Sequence, residues 1–468
     1  MKRALISTLL AILLVTAALT GCANGTTSSS SAASSSTADA SSTPASSSEA
    51  EEAASSDVAE GDSDEVFQSR TINFLSIWDD SDPVSDTYMI LDLSSQYGET
   101  VEGFEIQHEY VGIDQLDQKV SILVSSNDLP EICTYESGSR LKDLIATGQI
   151  LDVEAAWTEL GIFDCLDDGA VSLLKNLVDD EGLYDVPLGL NVEGFWYNKA
   201  LFEQAGITEV PETWDEFMDV CQKLVDAGIV PIVQGGSDSW PMTRVLNAYM
   251  VRSVGNDAVK DVIDGGASFN DPQYVAAAQM FADMAQKQYF SVGMTTIDPN
   301  TASSMLMNGQ AAMKYDGSWF AGNLNSDENA AGPDGIGFFN VPTAGSDSTL
   351  DDYSMNCGNI LVFSSGKYDE AVGDWMSYVF PKIGDYAINN NGAFKGYKIN
   401  DMPELSTYSQ IVADALGDAK GAFLWFEAKM DSESSALAQS NIAMLYSGEM
   451  TAEEYMAELQ DSIERNRS

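Results

Sequence analysis

Apolar and polar positions alternate where the folded part of the chain begins. Thr71-Ile72-Asn73-Phe74-Leu75-Ser76-Ile77 reads as a strand. Phe104-Glu105-Ile106-Gln107-His108-Glu109-Tyr110 reads as a second strand, with His108 on a solvated face. Glu131-Ile132-Cys133-Thr134 is a short buried third. Between them the period turns helical, with one helix ending near Gly98 and another over Leu116 to Ser125. Strands alternating with helices predict an α/β lobe built on parallel pairing. Further on, Pro211-Glu212-Thr213-Trp214-Asp215-Glu216 holds a capping box, with Thr213 capping and Glu216 reaching back. Trp214, Phe217, Met218, Cys221, Leu224 and Val225 follow on one helical face, which makes Trp214 a core residue. Gly228 ends that helix and Ile229-Val230-Pro231-Ile232 continues as a strand. Asp271-Pro272 starts another helix, and Thr451-Ala452-Glu453-Glu454 is a second capping box opening the last one.

A different pattern precedes the body. Lys2 and Arg3 are followed by an apolar run from Ala4 through Leu19 and then by Leu19-Thr20-Gly21-Cys22. This is the grammar of a secretory signal peptide over residues 1–21. The run is shorter than the roughly 20 residues of a spanning helix. Its end resembles the bacterial lipobox, which implies a lipid attached at Cys22 and work at the outer face of the cell membrane. Residues 22–66 are dominated by Ser, Thr, Ala, Asp and Glu. They bury too little apolar surface to offset chain entropy and read as a disordered tether.

Composition narrows the function. The chain holds 73 acidic and 22 basic residues, a net charge of −51. Removing Lys2 and Arg3 makes it −53, and the nine acidic residues of the tether leave about −44 on the body. Such a body repels nucleic acid and anionic lipid. His108 is the one histidine, so His-rich zinc sites are excluded and a Ser-His-Asp or Cys-His system would have to use it. Cys133, Cys165, Cys221 and Cys357 lack C-x-x-C spacing and read as buried free thiols, with a disulfide as the alternative. Asn325-Ser326-Asp327-Glu328-Asn329 lacks calcium-loop spacing and reads as a solvated acidic loop. No cofactor is implied. No long polar linker divides the roughly 400-residue body, which suits two lobes joined by several crossings.

Three blocks carry a resemblance. The first is Tyr184-Asp185-Val186-Pro187, then Trp196-Tyr197-Asn198-Lys199-Ala200-Leu201-Phe202, then Pro211 to Phe217. The second is Met307-Asn308-Gly309-Gln310-Ala311-Ala312-Met313 running into Asp316-Gly317-Ser318-Trp319, and the third is Gly337-Phe338-Phe339-Asn340-Val341-Pro342. In this order the chain resembles the extracellular solute-binding proteins of ABC importers, in the carbohydrate-binding group that includes maltose-binding protein. The resemblance implies an α/β two-lobe clamp, each lobe a mixed sheet flanked by helices. A first lobe would comprise residues 67–187 and 355–395, and a second 188–354 and 396–468. Hinge closure on a mono- or oligosaccharide and delivery by a monomer to permease subunits would follow.

A sugar site needs flat aromatics for C–H faces and carboxylates or amides for hydroxyls. Trp78 and Asp79 follow the first strand, and Tyr135 and Glu136 the third, at the strand ends where α/β sheets bind ligands. The resemblance gives Tyr135 a stacking role and puts Asn191 where the maltose-binding pattern has a carboxylate, with Glu193 a nearby alternative. It likewise makes Trp319 a stacking residue, and Asp316 three residues before it reads as a hydroxyl acceptor. Asp238, Trp240, Asn356 and Trp425 complete the candidate set. No catalytic or metal-binding residue is assigned. A solute-binding protein for a peptide, polyamine or metal, a sensor subunit signalling to a receptor, and a secreted glycoside hydrolase with paired carboxylates are the competing readings.

Overall fold

A computed structural model describes residues 70–179 and 182–467. The apolar leader, Cys22 and the Ser-rich stretch to Val66 lie outside them. Among the described residues the strands are, in chain order, β1 Arg70–Ser76, β2 Phe104–Tyr110, β3 Ile132–Tyr135, β4 Asp185–Val186 and β5 Asn191–Asn198. Then come β6 Met313–Gly317, β7 Ile336–Phe339, β8 Asp352–Asn356, β9 Ile360–Phe363 and β10 Gly421–Phe423. They form two mixed sheets. The first has the order β2-β1-β3-β9-β4, and the second β10-β8-β5-β6 with β7 also paired to β5. β1 runs parallel to β2 and β3, while β9 returns antiparallel to β3 and β4.

Burial explains the pairing. Ile72, Phe74 and Leu75 of β1 are at most 1% exposed and join a core with Trp157, Phe363, Trp375 and Phe380. β5 is covered on both faces, because successive side chains point to opposite sides. Phe195 enters one core with Phe217 and Phe339, and Trp196 enters another with Phe320 and Tyr408. A strand buried on both faces needs helices on both, and the long connections supply them.

The local grammar folds as expected in most places. Thr213 accepts from the Glu216 N–H and Glu216 accepts from the Thr213 N–H, opening the helix Trp214–Asp226. Trp214 is core, at 3% exposure. Thr451 and Glu454 do the same for the helix Ala452–Asn466. Thr213→Ala is expected to cost about 1 kcal/mol, seen as a lower urea midpoint; an unchanged midpoint would show that the cap adds nothing here.

Some expectations fail for identifiable reasons. The segment Ile229–Ile232 is not a strand with a continuous ladder. Ile232 alone bridges Phe290 and Met313, because Pro231 has no N–H to extend the pairing. His108 does not face solvent. Its ring lies 5.7 Å from Phe74 and 2.8 Å from the Ser76 hydroxyl, its side chain only 8% exposed. Alternation put it with Phe104 and Ile106, and that face turned inward. The four body cysteines are free, three buried and Cys165 half-buried.

Among the described residues the chain passes between the sheets three times. The first passage lies between Val186 and Asn191. The second falls between Asn356 and Ile360, later than residue 355, because β8 stays paired to β5 through Asn356. The last is later than residue 396. Lys398 still donates to the Cys165 carbonyl and Asn400 to Asp385, before Tyr408 joins Trp196 and Phe320.

Candidate ligand-binding site

The carboxyl ends of β1 and β3 supply one side. Trp78 is half-buried and packs on the first core, with its carbonyl accepting from the Ser76 hydroxyl. Asp79 is exposed and caps its own turn through the Ser81 N–H at 2.7 Å, and its bonds to Ser81 lower its pKa. Tyr135 ends β3 almost fully buried, and burial together with the Asp117 charge pushes its phenol up. Glu136 lies 2.9 Å from Arg140, which also holds Asp117 at 2.7 Å. Burial raises the Glu136 carboxyl, and Arg140 opposes that shift. Two residues on, Gly138 has φ +89, and any Cβ there would collide with the Ala428 carbonyl. This loop from the first sheet therefore runs directly against the segment after β10.

A row of stacked groups forms the other side. Ser239, at φ 62, turns the chain into the helix Trp240–Val254. Trp240 is half-buried, and its ring meets Trp319 edge to face at 6.2 Å. Trp319 stands in the turn after β6 and is 37% exposed, a large aromatic ring left in solvent. One helical turn beyond Trp240 is Arg244. Its guanidinium lies 5.7 Å from the Trp240 ring and 5.2 Å from the Trp425 ring. Both rings are within cation–π range of it. Glu193 on β5 sits 3.6 Å from the Arg244 Nε.

Glu193 is itself held. Its Oε1 accepts from Asn356 at 2.7 Å. Asn191 donates to Asn356 at 3.1 Å, and Ser318 donates to Asn191 at 3.0 Å. The β5–β8 register sets Asn191 opposite Asn356. These two amides, both in the expected ligand set, bond to each other, and Asn356 supports Glu193. Glu427, buried beside Trp425, is raised by burial and pulled back by Arg244.

Two further expected residues have partners within the protein. Asp316 is 4% exposed and forms a buried ion pair with Lys314, which also donates to Ser303 at 2.9 Å. Positions two apart in a strand share a face. Lys314 and Asp316 therefore face Phe320, while Tyr315 faces the core that holds Phe195. The Asp316 carboxylate, expected to accept from a ligand, is engaged by Lys314 and by the Gly317 N–H. Asp238 is exposed and accepts from its neighbour Ser237 at 2.8 Å.

Arg244 and Glu427 were missed by sequence reasoning, and Glu193 stood only as an alternative. A signal for Arg244 existed: it follows Trp240 by four residues in a helix, the spacing of stacked neighbours. Nothing local marks Glu427. A cavity of about 830 Å³ lies beside this cluster, lined by Leu190, Asn247, Met355 and Trp425 together with the helix Asp168–Leu177. Trp78, Tyr135, Trp240 and Trp319 do not line it. Among the described residues no three His, Cys, Asp or Glu side chains are disposed to hold a metal ion. No described helix is long and apolar enough to cross a membrane.

Comparison with known proteins fits this geometry. Over 268 residues the chain is 24% identical to an ABC transporter extracellular-binding protein of Pyrococcus horikoshii, covering 55% of this chain and 60% of that one. It is 31% identical over 129 residues to the multiple sugar-binding protein of Streptococcus mutans, covering 24% of this chain and 30% of that one. Each match thus spans less than two thirds of the relative's length. In structure it is similar to a chitin oligosaccharide binding protein, with a TM-score of 0.77 at 22% identity, over 85% of this chain and 99% of that one. Residues 82–381 match the family model for bacterial extracellular solute-binding proteins, and with this two-lobe α/β fold the chain belongs to that family.

Proposed function

We propose that the protein captures a sugar or oligosaccharide between its lobes and delivers it to the permease of an ABC importer. The observation that carries this reading is the row Trp319–Trp240–Arg244–Trp425, with Trp319 exposed and the Tyr135–Glu136 loop approaching from the first sheet. Exposed aromatic faces beside buried polar groups suit a ligand that is apolar on its C–H faces and polar at its rim. The names of the Streptococcus mutans relative and of the chitin oligosaccharide binding protein support a carbohydrate. In this reading residues 67–187 with 355–395 form one lobe, and 188–354 with 396–468 the other. Capture and release involve no bond chemistry. The protein works as a monomer outside the cytoplasmic membrane, held to it by a lipid on Cys22.

A thermal-shift screen against mono- and oligosaccharides tests this, with polyamines and calcium as controls. A ligand at 100 times its Kd adds about 2.7 kcal/mol of stability. Trp319→Ala is expected to weaken the responding sugar at least tenfold, about 1.4 kcal/mol. A shift with a polyamine or cation but no sugar, or a sugar consumed in the assay, would replace this reading.

A further inference from the structure

We propose that Arg244 is the specificity-determining residue of this cleft, donating in its plane to hydroxyl oxygens of neutral sugars while the carboxylates around it turn acidic sugars away. The inference rests on the sugar reading and adds the charge class of the ligand. The guanidinium carbon lies 5.7 Å from the Trp240 ring centroid and 5.2 Å from that of Trp425, within cation–π range of both. Its in-plane N–H groups are what it offers a ligand for hydrogen bonding. The Arg244 side chain is 13% exposed, and its Nε and Nη1 are fully buried without a hydrogen-bond acceptor among the described residues. Glu193 at 3.6 Å is close enough to balance the charge but too far for a hydrogen bond. A buried donor without an acceptor favours any ligand that brings an oxygen to it.

The surrounding charge decides which oxygen. Glu193 on β5, Glu427 on the segment after β10 and Glu136 on the loop after β3 all act on Arg244 or feel its charge. Asp117 joins Glu136 through Arg140. Four carboxyl groups thus surround two guanidinium groups. Burial raises Glu136 and Glu427, so this environment already resists more negative charge. A ligand carboxylate would meet Arg244 only beside these groups, whereas a neutral hydroxyl meets no such opposition. Lysine could not replace Arg244, because a point charge lacks the planar fork of in-plane donors.

The test is calorimetric titration of the protein with glucose, galactose and xylose oligosaccharides, each paired with its uronic acid. A neutral member should bind, with its acid at least 100-fold weaker. Arg244→Lys should weaken the neutral ligand at least tenfold, and Glu427→Gln should narrow the gap between neutral and acidic members. An acid bound as tightly as its neutral partner overturns the proposal. So does Arg244→Lys with unchanged affinity, or Glu427→Gln with an unchanged gap. If no sugar of either kind binds, the sugar reading falls and this proposal with it; neutral binding indifferent to these substitutions overturns this proposal alone.

Discussion

Asp316→Ala is expected to lower the unfolding free energy by about 3–5 kcal/mol, the cost of leaving one member of a buried ion pair without its partner. Lys314 and Asp316 are each 4% exposed. With Asp316 gone, the Lys314 ammonium keeps the Ser303 hydroxyl and the face of Phe320 but loses its counter-charge. Both groups must be removed together to avoid that penalty, so Lys314→Met combined with Asp316→Leu should recover most of the loss. Urea unfolding of the three forms measures this, alongside titration with the sugar found in the screen. A loss below about 1 kcal/mol, on the scale of exposed pairs, would mean that the pair is effectively solvated. Lost sugar affinity with unchanged stability would return Asp316 to the ligand site.

Asp185→Asn is expected to change little near pH 4 and to stabilise the protein increasingly as the pH rises to neutral. Asp185 is fully buried on β4, just ahead of the first passage between sheets, and pairs across to Val362. Neither carboxyl oxygen has a well-placed hydrogen-bond partner. Burial pushes this carboxyl up to about 7, and the neighbouring Ser137 hydroxyl only partly opposes that. The folded pKa is thus above the unfolded one. Between pH ~4 and ~7 the unfolded chain releases this proton while the folded chain keeps it, so the stability present below pH ~4 is lost as pH rises. The span corresponds to a loss on the order of 4 kcal/mol from this one group. The amide is an uncharged isostere of the protonated acid and has no such loss. Denaturant unfolding at pH 4 to 8 should show the difference between the two proteins opening in favour of Asp185→Asn as pH rises. Parallel curves would mean that Asp185 is ionised and satisfied in the folded state.

Much of this architecture was legible along the chain, and the reason is local. Thr213 with Glu216 and Thr451 with Glu454 are three residues apart, so a helix start is written in one turn of sequence. Trp214 could be assigned to the core because the helical period placed it with Phe217, Cys221 and Leu224. Alternation marked β1, β2 and the buried β3, and strand ends followed by Trp78 and Tyr135 pointed to one end of the first sheet.

Alternation does not say which of two faces turns inward, and that is how His108 came to pack on Phe74. It put Lys314 and Asp316 on one face, but only the packing of Phe320 and Ser303 buried that face and made them an ion pair. Asn191 meets Asn356 across 165 positions through the β5–β8 register. Arg244 gathers Trp240 from its own helix, Glu193 from β5 and Trp425 from beyond β10. The sequence by itself determined the first strands and helices, two helix caps and one core face, since each depends on residues a few positions apart, while the two-lobe class came with the family resemblance. The polar centre of the cleft was decided by tertiary structure alone, because its members come from distant segments and meet only when sheet register and the three crossings bring them together.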